Sequence, residues 1–262
     1  MIRLVVLFVC ATACNNDHNT TIDGAVAVDA ARDAFVPQDA PAPHVNGQVA
    51  IAMGTGPMGS LTNVSATFTD GMIYGIPVAT EGACTLFGPN TAMDRFSAGS
   101  IAVTGTNTAI TLTPSGTPLK YTPAPTPPTD LYTAGATISV VAAGSEVPAF
   151  SATVTAPAAL AGYTVPTVLS RAGYTPTWTA VAGSKIFIIL LGMHGSTSDT
   201  ILCRIDDTGT FTVPASTFAL LPATDTTGAV AIARVAEHLV TTPDVSVVVV
   251  SELASGLIPI NP

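Results

Sequence analysis

From residue 45 to its end, the chain consists of short apolar or alternating runs separated by Gly, Pro, Asn and Asp. Residues 110–113 and 150–155 place apolar side chains at every second position, which predicts strands with one buried face. Residues 186–191 and 245–250 are apolar throughout and predict central strands buried on both faces. The predicted strands are 48–53, 64–69, 73–79, 83–87, 100–104, 109–113, 137–142, 150–155, 177–181, 185–191, 200–205, 210–213, 229–235 and 245–251.

Only residues 214–221 indicate a helix, because Pro214 can occupy a first helical turn and Pro222 ends the segment. Many short strands at regular spacing, with turn residues between them, are typical of sandwiches. The pattern therefore predicts an all-β fold.

The clearest change of pattern falls at residues 156–162, where one series of strands ends and another begins. We place a boundary there and predict two β-sandwich modules, 45–156 and 157–262. The Pro-rich stretch 122–129 is an alternative boundary, or a crossover between paired strands. The second module resembles an immunoglobulin or fibronectin type III sandwich, since Trp178 lies on an early strand and Cys203 on a later one.

The N-terminus has the features of a secretion signal: Arg3, a short apolar run at 4–9, and small residues before Cys14. The sequence Ala-Thr-Ala-Cys at 11–14 resembles the lipobox of bacterial lipoproteins. That resemblance implies removal of a signal peptide, 1–13, and lipid attachment at Cys14. Asn15 implies sorting to the outer membrane. The alternatives to a lipoprotein are ordinary secretion, with cleavage nearby, and an uncleaved membrane anchor.

Residues 15–44 carry five Asp against the single Arg32 and contain one aromatic residue, Phe35. Such a segment buries too little apolar surface to offset the entropy of ordering. We therefore expect 14–44 to be a lipidated cysteine followed by a disordered acidic linker.

Composition excludes some function classes. The chain has 8 Lys and Arg against 17 Asp and Glu, a formal net charge of -9, so it lacks the basic surface of a nucleic-acid binder. A polytopic membrane protein is excluded because no run of 18 consecutive apolar residues occurs.

Cys84 and Cys203 remain after the leader cysteines are set aside. A pair of cysteines in an exported chain predicts a disulfide, which here would join the two modules. Two free buried thiols are the alternative.

Two groups of residues have the types and spacing of known chemical sites. Gly54, Gly56 and Gly59 match the spacing of a dinucleotide fingerprint, but a strand-like run follows them instead of a helix, which indicates a hairpin loop. His194, Asp199 and His238 could build a hydrolase site from loops, with Ser196 beside His194, and this hypothesis requires them to converge.

Asp206 and Asp207 precede Thr208 and Gly209, a combination typical of a hairpin turn. The alternative is a calcium site, which would need further oxygens from Asp199 or Asp225. Three arginines stand in or beside apolar strands, as edge residues or as ligand-facing groups: Arg171, Arg204 and Arg234.

Taken together, the residues predict a lipid-anchored envelope protein of binding, adhesion or structural type. We assign it no catalytic residues, metal or cofactor. Its expected partners are the membrane, through the lipid, and an envelope protein or polysaccharide. A hydrolase and a calcium-dependent carbohydrate-binding module are the alternatives.

Overall fold

A computed structural model of the chain describes residues 45–56, 59–71, 76–88, 94–194, 197–241 and 244–262. The predicted signal peptide, Cys14 and the linker lie outside the described residues. In the described part, strands alternate with loops and one short helix occurs, so the chain has an all-β fold, as predicted. No helix in these ranges is long and apolar enough to cross a bilayer.

The elements follow one another along the chain as β1 (Asn46–Gly56), β2 (Gly59–Thr69), β3 (Pro77–Glu81), β4 (Cys84–Phe87), β5 (Ile101–Thr104), β6 (Ile110–Ser115), β7 (Lys120–Ala124), β8 (Thr137–Ala142), β9 (Phe150–Thr155), β10 (Leu169–Ser170), β11 (Gly173–Tyr174), β12 (Lys185–His194), β13 (Thr197–Asp206), β14 (Val213–Pro214), α1 (Ala215–Phe218), β15 (Thr227–Thr241), β16 (Asp244–Ala254) and β17 (Ile258–Asn261).

Most of the strands form one large sheet, in the order β2-β1-β16-β15-β12-β13-β4-β3, with β17 pairing β15 and β10 pairing β17. A five-stranded sheet has the order β7-β6-β5-β8-β9. The apolar runs predicted to be central are central: β12 lies between β13 and β15, and β16 lies between β1 and β15. Their residues are almost all buried. On one face they pack against the elements that cover the sheet, and on the other they form a cluster whose members, among them Phe187 and Val248, all lie on strands of the large sheet itself.

The large sheet crosses the predicted boundary at residue 156. Strand β1 pairs in parallel with β16, and β4 pairs with β13, so both halves of the chain contribute to one sheet. Two self-contained modules would instead keep their hydrogen bonding within each half. The change of pattern at 156–162 marks where the chain leaves the five-stranded sheet, because the loop after β9 crosses back to the large sheet.

Two cores lie on one face of the large sheet. The five-stranded sheet packs on β1, β2 and β16, while residues from the loops at 157–181 and 210–222 pack on β12, β13 and β15. Ile232, Arg234 and Ala236 alternate along β15 and therefore point to this same face. Ile232 belongs to the second core and Ala236 borders the first, so Arg234 lies at their junction.

Several local predictions were close and others were wrong. The glycines at 54–59 end β1 and begin β2, which form the predicted hairpin. The helix is shorter than predicted, since α1 covers only Ala215–Phe218. Residues 177–181 form a single bridge, Thr177 with Thr210, because this segment crosses over the sheet instead of joining it.

Candidate functional site

One end of the β12–β13 hairpin places a histidine beside two carboxylates. His194 ends β12, and Asp199 lies near the start of β13, directly opposite Gly192. Residues two apart on a strand share a face, so His194 and Asp199 point to the same side of the hairpin. The His194 Nδ1 atom lies 3.8 Å from Asp199 Oδ2, and both side chains are partly exposed.

Asp225 completes the cluster from the loop before β15. Its Oδ1 atom lies 2.5 Å from His194 Nδ1, and its side chain is fully buried. One potential ligand atom from each of the three residues falls within 4.8 Å of the others. The sequence grouped His194 with Asp199 in the hydrolase hypothesis, but it named Asp225 only as an extra oxygen for a calcium ion, so the meeting of Asp225 with His194 is a finding of the structure.

The backbone around the cluster fixes the position of Asp225. A Cβ atom at Gly192 would lie 2.1 Å from Asp225 Oδ2, so only a glycine allows the carboxylate to pack against β12. Arg171 donates hydrogen bonds to the carbonyl oxygens of Phe218, Leu221, Pro222 and Asp225, at 2.6–3.1 Å. The loop that carries Asp225 is therefore tied down at several points.

The carboxylate of Asp225 is only half satisfied. Its Oδ2 atom is buried and has no hydrogen-bond partner among the described residues. Buried polar atoms are nearly always hydrogen-bonded, because desolvation without a partner is costly. A buried carboxylate that holds an imidazole can orient it as a base, and the same donor atoms can bind a cation.

The proposed hydrolase constellation does not assemble as predicted. His238 pairs with Val247 and lies 11 residues further along β15 than Thr227, the residue paired with Met193 beside the cluster. At roughly 3.3 Å per residue, that separation is about 36 Å. The prediction that His238 converges with His194 and Asp199 was therefore wrong. Ser196 lies outside the described residues.

Asp206 and Asp207 do not form a hairpin turn. Strand β13, which ends at Asp206, pairs with β12 and β4, and within the ranges that the structure describes no strand after Gly209 folds back against it. Asp206 forms an exposed ion pair with Lys185. Asp, Thr and Gly favour a simple bend as much as a hairpin turn, and a hairpin forms only where the following segment pairs with the strand before the turn.

Asp207 belongs to a buried network at the junction of the two cores. One oxygen accepts a hydrogen bond from Trp178 Nε1 and the other from Arg234 Nε, both at 2.6 Å. Arg234 also donates to the carbonyl oxygens of Ala158, Ala159 and Thr179. These contacts leave Asp207 unavailable to calcium, and they show that Arg234 fastens the loop at 157–181 to the sheet.

Arg204 lines a cleft. It forms an ion pair with Glu237, and its guanidinium lies 5.1 Å from the centre of the Phe187 ring. The cleft, of about 810 Å³, lies between β9, β15 and the loop before β12. Its charged lining residues are Lys185, Arg204 and Glu237, so this is the arginine of the three that comes nearest to a ligand-facing position.

The predicted disulfide is confirmed. Cys84 on β4 and Cys203 on β13 are bonded and lie directly opposite each other in the large sheet. The prediction that this bond joins two modules was wrong, since both strands belong to one sheet. The bond crosslinks neighbouring strands that are 119 residues apart in sequence.

One sequence signal could have located Asp225. Gly192 interrupts the long apolar run of β12, and an isolated glycine in a strand often marks a close approach by another group. The sequence cannot say which group approaches, because the partner lies 33 residues away across a helix and a loop.

No protein-family model matches the chain, and no curated protein is significantly similar to it.

Proposed function

We propose that the protein is an exported, lipid-anchored component of the bacterial cell envelope, of binding, adhesion or structural type. The observation that carries this proposal is the Cys84–Cys203 disulfide. Structural disulfides form in oxidising compartments outside the cytosol, which agrees with the signal peptide and Cys14 in the sequence. The acidic linker would hold the β body away from the membrane.

The described body suits a binding role. The two cores on one face of the large sheet meet at a buried hydrogen-bond network around Arg234, which favours a rigid scaffold. The cleft beside Arg204 has a volume in the range of ligand sites, and it carries charges of both signs. A segment of polysaccharide or of an envelope protein is the ligand class that we propose for it.

The lipid anchor can be tested by labelling cells with a fatty-acid probe. We expect the wild type to be labelled and Cys14→Ala to be unlabelled, because Cys14 would be the residue that carries the lipid. Cys10→Ala is the matched control and should remain labelled. Equal labelling of all three chains, or of none, would remove the anchor from the proposal.

The cleft can be tested by affinity capture from the cell envelope. Ala182 is exposed and lines the cleft, so Ala182→Trp should fill it and reduce capture of the bound partner by tenfold or more. Ala102 is exposed on β5, away from the cleft, and Ala102→Trp should capture as the wild type does. If both variants capture the partner equally well, binding takes place elsewhere.

A hydrolase remains the second candidate, because Asp225 lies at hydrogen-bond distance from His194 Nδ1. A histidine held in this way can act as a general base. Turnover of purified peptidoglycan by the wild type, with loss in His194→Ala and not in His238→Ala, would favour this candidate over the first.

A further inference from the structure

We propose that His194, Asp199 and Asp225 form a binding site for a divalent transition-metal ion of the zinc class. This inference goes beyond the proposed envelope function and does not depend on it. The three side chains come from the β12–β13 hairpin and the loop before β15, at one end of the large sheet.

The donor atoms are suitably close. His194 Nδ1 faces both carboxylates, at 2.5 Å from Asp225 Oδ1 and 3.8 Å from Asp199 Oδ2. Ligands of tetrahedral zinc at about 2.1 Å lie roughly 3.4 Å from each other, so small side-chain movements would allow all three to bind one ion.

The unpartnered oxygen of Asp225 independently points to a ligand. Asp225 Oδ2 is buried without a hydrogen-bond partner among the described residues, whereas the side chain as a whole is 0% exposed. His194 reaches only the Oδ1 atom of this carboxylate, and a bound cation would compensate the buried negative charge.

The surroundings hold the site in place. Gly192 allows the Asp225 carboxylate to lie against β12, and Arg171 fixes the loop through four carbonyl oxygens, that of Asp225 among them. Metal sites depend on such supporting contacts, because they orient the ligands before the ion arrives.

The ligand types select the class of ion. Calcium takes six to eight oxygen ligands, whereas this cluster offers one nitrogen and two carboxylates. Imidazole with carboxylate suits zinc and its neighbours in the transition series. Three protein ligands leave a coordination position for water, since zinc is usually four-coordinate.

The test is calorimetric titration of the purified full chain with zinc chloride. The protein should carry no histidine tag, and His18→Ala and His44→Ala should be present throughout, so that histidines outside the site do not contribute. We expect one ion per chain, with affinity reduced at least 100-fold in His194→Ala and in Asp199→Asn. His238→Ala is the matched control and should bind as the parent does.

A second measurement guards against variants that fail to fold. Asp199 is partly exposed, so Asp199→Asn should retain the parental circular dichroism spectrum while losing the rise in Tm that zinc causes in the parent. Absence of one-to-one zinc binding in the parent would overturn the proposal. So would equal affinity in His194→Ala and His238→Ala, or calcium binding at the same site in preference to zinc.

Discussion

Two buried aspartates, Asp207 and Asp225, lie near opposite ends of the same sheet and differ in how their oxygens are satisfied. Both side chains are 0% exposed. Asp207 accepts from Trp178 and Arg234, one donor for each oxygen, while Asp225 Oδ2 has no partner among the described residues. A structural role therefore accounts fully for the burial of Asp207. Asp225 is explained better by a ligand.

The physical difference lies in the partners that each carboxylate meets. Arg234 is a permanent cation with several donors, and it fills its remaining bonds with backbone carbonyl oxygens. His194 is partly exposed and offers Asp225 one nitrogen. Both oxygens of Asp207 are therefore already occupied by donors, whereas Asp225 keeps one oxygen without a donor among the described residues, and that oxygen can take a ligand.

The largest expected effect comes from breaking the buried network of Asp207. Asp207→Asn would leave the Arg234 guanidinium buried without a counter-charge, and we expect a loss of about 3–5 kcal/mol in the free energy of unfolding. Urea unfolding followed by circular dichroism measures it. Asp206→Asn, next along the chain, removes only an exposed pair with Lys185 and should change stability by about 0.5 kcal/mol or less. Similar losses in the two variants would contradict the structural role of Asp207.

A third buried carboxylate, Glu252, adds a pH dependence to the comparison. Burial raises its pKa from 4.5 to about 7, and its Oε1 atom lacks a hydrogen-bond partner among the described residues. Between these two pH values the folded chain holds a proton that the unfolded chain has lost. Stability should therefore fall as pH rises through this window, by roughly 3 kcal/mol in all.

The variant Glu252→Gln removes this titration. We expect it to be more stable than the wild type at pH 8, and the advantage to vanish near pH 4.5. Paired urea unfolding curves at the two pH values provide the measurement. A constant difference between the chains at both values would show that Glu252 does not titrate in this range.

A smaller effect is expected at Gly192. Gly192→Ala places a methyl group against Asp225 Oδ2, and overpacking of this kind costs about 1–3 kcal/mol. Adding Asp225→Ala should recover part of that loss, since it removes the obstructing carboxylate. A double-mutant cycle measures the coupling. If the two changes prove additive, the close approach of Asp225 to Gly192 is not as described.

The smallest effect is expected for Asp225→Asn without metal. Asparagine keeps an oxygen that can accept from His194 and removes a half-satisfied charge, so stability should change by about 1 kcal/mol or less. Thermal unfolding with a chelator present measures this. A loss as large as that of Asp207→Asn would mean that Asp225 is a structural residue after all.

The sequence predicted the strands better than their arrangement. Strands β6 and β9 alternate apolar and polar residues because one face is buried, whereas β12 and β16 are apolar throughout because both faces are buried. Both patterns can be recognised in a short stretch of sequence. The strand β7 was missed because Pro123 within it and the prolines that follow it resemble a linker, although edge strands tolerate proline. The candidate site was half predicted, since His194 and Asp199 share a hairpin while Asp225 does not.

By itself, the sequence determined the all-β class and the cysteine pair, because strand periodicity and cysteine number are local or compositional properties. Only the tertiary structure decided that β1 pairs in parallel with β16, that one sheet crosses residue 156, and that His194 meets Asp225. The entropy of closing a loop rises only slowly with its length, so distant partners are nearly as accessible as moderately near ones. The choice among them depends on how the faces pack together, which no local pattern records.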